Sequence, residues 1–182
     1  MSACLISPDD PRWQRQLSRQ PHDFHHLPGF VTLEAARSGG EAAALWVSQD
    51  QHTLLLPLVV RSLPAHLGID GRDAISPYGY SCPLVAGDDP SVRAALLAGA
   101  SDALAQVGLV SAFVRLHPLL ELPLDAMACA GEVVRHGPTV WIDLTVSVEE
   151  MWRQTRGSDR NRMNKLRRQG YAARVDEAWE RV

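Results

Sequence analysis

Apolar positions along this chain change rhythm near residue 40, and the change separates the expected helices from the expected strands. Pro11 to Gln20 predicts a short helix, and Leu27 to Arg37 predicts another that Gly39-Gly40 stops. Between them, Pro21 and the string His22-Asp23-Phe24-His25-His26 read as a surface turn. Ala42 to Val47 and Thr53 to Val60 are apolar runs split by Ser48-Gln49-Asp50-Gln51-His52, the pattern of a hairpin of two largely buried strands. Ala74-Ile75 opens an extended segment that carries Pro77-Tyr78-Gly79-Tyr80. Asp89-Pro90 pairs a capping side chain with proline at the first helical position, so a helix is expected from there to Gln106, ended by Gly108.

Ser111 to Leu116 reads as a strand, followed by a turn-rich stretch over Leu119 to Gly131. Val133-Val134 and Thr139 to Leu144 look like a further strand pair around Gly137-Pro138. Ser147-Val148-Glu149-Glu150 has the spacing of a capping box. The helix it opens is interrupted near Gly157-Ser158 and resumes as a basic segment to Gln169. Tyr171 to Val175 has the composition of a strand, and Asp176 can cap a helix of which barely one turn is present. Strands and helices in this order, with a hairpin near the start, predict an α/β (α+β) chain with a mixed sheet flanked by helices.

Composition narrows the function classes. At 182 residues and 46% hydrophobic, the chain is long enough for one ordinary domain with a substantial core. Its net charge of −3 gives no overall attraction for anions, so any phosphate contact must come from a local patch. Cys4, Cys82 and Cys129 are scattered and lack CxxC spacing, which argues for a reducing compartment and against a zinc site or disulfide framework. No secretory signal and no apolar run of membrane-spanning length is seen, so the expectation is a cytoplasmic protein with no transmembrane segment. No Walker, GxSxG, HExxH or GxGxxG string occurs.

Three groups of residues carry candidate chemistry. Arg153, Arg156, Arg160, Arg162, Lys165, Arg167 and Arg168 crowd one helix, opposed inside that span only by Asp159. They suit phosphate recognition, or equally a solvated face paired with Glu149, Glu150, Asp176 and Glu177. Pro77-Tyr78-Gly79-Tyr80 offers a close backbone approach and two stacking hydroxylated rings, or simply a bend with packed tyrosines. Arg115 and His117 stand at alternate positions at a strand end, so both can point to one side. His117 suits a base or donor role, or a ring satisfied by a backbone carbonyl. His22, His25 and His26 lack the partners of a familiar zinc set, and no metal site is expected.

Taken in order, Pro77-Tyr78-Gly79-Tyr80 with Pro83-Leu84, Val114-Arg115-Leu116-His117-Pro118, Trp141-Ile142-Asp143-Leu144 and the run from Arg160 to Gly170 resemble the Fem family. These are aminoacyltransferases of peptidoglycan cross-bridge synthesis, with GNAT-type (BioF2-like) acyltransferase relatives. Arg160, Lys165 and Gly170 match the spacing of the family's basic run; Asp159 stands where histidine is usual and Asn164 where arginine is usual. Asn161 also precedes Arg162, the reverse of the family order.

The resemblance implies a bacterial cell-envelope transferase with a GNAT-like domain over 1–175. Residues 176–182 would begin a helix leading to a second GNAT-like domain. It implies transfer of an acyl or aminoacyl group to an amine, from acyl-CoA or aminoacyl-tRNA as donor substrate and with no bound cofactor. It places Tyr78, Gly79, Tyr80, Arg115 and His117 at the acceptor, and Arg160, Arg162, Lys165 and Arg168 at phosphate of a tRNA or nucleotide-linked ligand. It assigns no catalytic residue. The competing expectation is a non-catalytic carrier- or RNA-binding module that uses the basic helix over 153–168.

Overall fold

A computed structural model describes residues 1–68 and 70–174 of the chain. It divides into two compact units, Met1–His136 and Gly137–Val182, so the single domain expected over 1–175 spans both. The first unit begins with strand β1 (Ser2–Ile6) and helix α1 (Pro11–Leu17), which Asp10 caps by accepting from the Arg12 amide. Helix α2 (Pro28–Ser38) ends at Gly39, whose left-handed backbone (φ 71°) closes the last turn. Strands β2 (Glu41–Gln49) and β3 (His52–Ser62) form the expected hairpin, joined through Asp50 at φ 53°. Strands β4 (Arg72–Ile75) and β5 (Leu84–Ala86) follow. The helix expected to Gln106 is divided at Gly99 into α3 (Pro90–Ala98) and α4 (Ala100–Gln106). Strand β6 (Leu109–Phe113) and helix α5 (Leu124–Ala130) complete the unit.

Among the described residues the sheet is mixed and six-stranded, in the order β1-β2-β3-β4-β6, with β5 also on β3. All pairings are antiparallel except β4 with β6, which the α3–α4 connection makes parallel. The unbroken apolar runs of β2 and β3 explain why helices cover both faces. Leu54, Leu56, Leu58 and Val60 point to one side and pack with Leu96, Leu97 and Ala103. Leu55 and Val59 point to the other and pack with Trp13, Leu17, Val31 and Ala35. The alternation of strand side chains therefore builds two cores from one apolar run.

One edge of β3 is shared. Thr53 to Leu55 pair with β5, Val59 to Ser62 pair with β4, and Pro57, which cannot donate to a ladder, falls between them. Across that gap the chain leaves the sheet after Ile75 and returns at Leu84, so residues 76–83 form an excursion from the sheet edge.

The second unit contains α6 (Val148–Gln154) and α7 (Gly157–Arg168). Ser147 caps α6 by accepting from the Glu150 amide, but Glu150 reaches forward to Arg153 and Gln154, so only half of the capping box forms.

Three sequence expectations are corrected. Val133-Val134 and Thr139 to Leu144 form no strand pair; Val140, Trp141, Ile142 and Leu144 are all exposed. Residues 171–174 are not a strand, and Val175 and the helix start at Asp176 lie outside the described residues. In both places β-favouring composition pairs with no strand among the described residues, and propensity alone does not form a strand. The turn-rich stretch over Leu119 to Gly131 contains α5. No helix of the described residues is long and apolar enough to cross a membrane.

Candidate functional site

The excursion 76–83 is held by the histidine-rich turn, in which His26 is fully buried and Asp23 and His25 partly so, while His22 and Phe24 stay exposed as expected of a surface turn. Phe24–His26 is one turn of 3-10 helix capped by Asp23. Trp13, fully buried, donates its indole N–H to the His26 carbonyl at 2.9 Å and fixes the turn to α1. The Asp23 amide donates to His26 Nδ1 (3.3 Å), so the ring proton sits on Nε2 and is donated to the Cys82 carbonyl (3.2 Å). Ser81 Oγ donates to the His25 carbonyl at 2.7 Å. These bonds clasp the far end of the excursion. Its near end is held by Ser76, whose amide donates to the Phe113 carbonyl and whose hydroxyl accepts from the Arg115 amide.

Asp23 is the electrostatic centre of the cluster. Its carboxylate accepts from the His25 amide, from His25 Nδ1 and from His117 Nε2, each at 2.8 Å. Burial pushes its pKa up, but the His25 and His117 hydrogen bonds outweigh that and hold the carboxyl below its ordinary value. His117 Nδ1 accepts from the Leu119 and Leu120 amides, which fixes its Nε2–H tautomer and uses both ring nitrogens. His26 also uses both, and its burial keeps the ring neutral by lowering its pKa against the opposing pull of Asp23. His25 differs: Nδ1–H is spent on Asp23, while Nε2 has no hydrogen-bond partner among the described residues. Its ring lies edge-on to Tyr80 and against Gly79, where any Cβ would collide with it. Gly79 has φ 103°, a second reason for glycine there.

Cys82, buried beside His26 Nε2 at 3.7 Å, is not an activated nucleophile, because burial pushes its thiol up to about 11. Among the described residues no group of three or more His, Cys, Asp or Glu side chains is arranged to hold a metal ion.

On the other side of Gly79, Tyr78 faces a cleft of about 130 Å³ bounded by α2 and the sheet edge. The Arg115 guanidinium stands 5.9 Å from the Tyr78 ring centre and 5.0 Å from that of Phe113. Arg115 thus stands over Tyr78, and His117 lies against Tyr80 with ring centres 5.9 Å apart, so these residues flank the one excursion that carries Gly79. Asp23, His25 and His26 were missed as members of this group. The only sequence signal for them was the density of titratable residues in a short turn, which does not reveal burial. The basic residues belong to the second unit: Arg162, Lys165, Arg167 and Arg168 lie exposed on α7, with Arg160 half-buried there. Arg162 reaches Asp159 at 3.9 Å.

No family model matches the chain, and no curated protein or solved structure matches it.

Proposed function

We propose that the chain belongs to an acyltransferase that passes an acyl or aminoacyl group to an amine, in the manner of the Fem and GNAT-type enzymes its motifs resemble. The observation that carries the reading is His25: a ring oriented by Asp23, with an unpaired Nε2, beside the Tyr78-Gly79-Tyr80 backbone. That is the arrangement of a general base with a carboxylate orienter. In the proposed step His25 Nε2 takes a proton from the attacking amine as its nitrogen bonds to the acyl carbon. The bond from that carbon to the carrier's sulfur or oxygen breaks, and the proton passes to the leaving thiol or hydroxyl. Asp23 stabilises the imidazolium in between. Cys82 is held as a neutral thiol, which favours direct transfer over a covalent intermediate. The mixed sheet with helices on both faces is compatible with a GNAT-like domain.

The donor's carrier, acyl-CoA or aminoacyl-tRNA, would contribute phosphate, for which Arg162, Lys165, Arg167 and Arg168 on α7 offer charge. The same exposed charge favours a second reading, a module that binds a carrier or RNA without catalysis.

The test is turnover by the full chain with acetyl-CoA or charged tRNA and a panel of amines. His25→Gln is expected to lower kcat by about 10²–10⁴-fold while circular dichroism shows the fold retained. Equal turnover in H25Q, or no transfer from either donor class, sinks the acyltransferase reading. RNA binding without transfer would support the module instead.

A further inference from the structure

We propose that the cleft between α2 and the sheet edge is a binding site for a carboxylate, with Arg115 as its anchor. Three arginines border this cleft, and two are already neutralised. Arg37 makes a two-pronged pair with Glu34, and Arg61 makes one with Asp73 at 2.6 and 3.1 Å. Arg115 has no carboxylate partner among the described residues, and its Nη1 is buried without any hydrogen bond. A guanidinium with a buried, unpartnered N–H is costly to keep uncompensated, and Arg115 is only partly buried and lines the cleft, so its charge is open to an acceptor that comes from outside.

The surroundings specify that acceptor. Phe113 and Tyr78 fix the guanidinium plane, which leaves its edge as the binding surface. Ser76, fully buried behind it, accepts from the Arg115 amide through Oγ and so holds the Arg115 backbone at the cleft. A planar carboxylate matches a guanidinium edge. A phosphate dianion matches less well, because Glu34 borders the same cleft and the Arg37 hydrogen bonds keep its carboxyl ionised. One uncompensated cation in about 130 Å³ suits a single negative charge on a short stem.

That the ligand is a carboxylate stands on the cleft alone; that it is the acceptor's carboxylate rests on the acyl-transfer reading above. On that reading the acceptor bears both an amine and a carboxylate, with Arg115 and His25 on either side of Tyr78-Gly79.

Melting temperature of the full chain at matched ionic strength, without any acyl donor, separates the two. Propionate is expected to give a saturable increase and propionamide none, since ligands of the native state stabilise by mass action. Arg115→Gln is expected to weaken propionate by about tenfold or more. A propionamide shift equal to that of propionate, a larger shift with inorganic phosphate, or no shift with any of the three overturns the assignment. The amide comparison uses the unaltered chain and decides even if R115Q does not fold. Propionate binding without transferase activity would leave the carboxylate site standing and remove only the acceptor role.

Discussion

Asp23 gathers two imidazole donors and one amide onto a single carboxylate, and His26 sits fully buried beside it, so this cluster ties stability to pH. His26 has its folded pKa lowered from 6.5, so below that pH the unfolded chain takes up the proton first and stability falls. Asp23 is lowered from 3.8, so its contribution is present above that value and is lost as pH falls through its folded value. Both signs agree. The melting temperature is expected to be flat between neutrality and pH 9.0, above which the buried Cys82 thiol opposes ionisation and stability falls, to decline below pH 6.5 and to fall further below 3.8. His26→Gln should melt lower near neutrality yet lose the first decline; an unchanged profile would contradict the assignment. Gly79→Ala combines a strained φ with a collision at the His25 ring and should cost about 1–3 kcal/mol in chemical denaturation. The same variant should slow transfer if His25 is the base.

Elements were legible where one force dominated. The β2–β3 hairpin and α2 followed from apolar runs and a glycine stop, and both formed within a residue or two of the expected ends. Strand β1 was missed because Ser2–Ile6 is short and owes its pairing to Trp46 and its neighbours on β2, contacts that local composition does not show. The apparent strand at Thr139 to Leu144 failed for the converse reason, β-favouring residues with no partner. The site loop was legible as strings but not as a site, because its clasp comes from a turn more than fifty residues earlier in the chain. Gln16 is a buried polar residue of this long-range kind: Nε2 donates to the Leu84 carbonyl at 3.0 Å, and Thr53 Oγ1 donates to Oε1 at 2.7 Å. It joins α1 to both β3 and β5. Gln16→Leu strips the Thr53 hydroxyl of its acceptor and should lower stability in urea by about 1–3 kcal/mol. A neutral result would mean that the helix is held on the sheet by Trp13 and Leu17 alone.

At the scale of the whole molecule, net charge and local charge point in opposite directions. The chain carries −3 overall, yet α7 presents Arg162, Lys165, Arg167 and Arg168 to solvent. Three of these lie in its last turn, where cations also complement the helix dipole, so a structural role accounts for part of the concentration. A dipole role and a phosphate role predict different salt behaviour. If α7 grips phosphate, tRNA affinity should fall linearly on a log-log plot against salt, and each contact removed should reduce the slope by about one. The double variant Arg162→Ala and Lys165→Ala should therefore flatten the slope by about two while leaving the melting temperature of the first unit in place. If the charges serve only the helix, the chain will show no salt-dependent affinity to lose, because a net negative molecule without a working patch repels a polyanion at low salt.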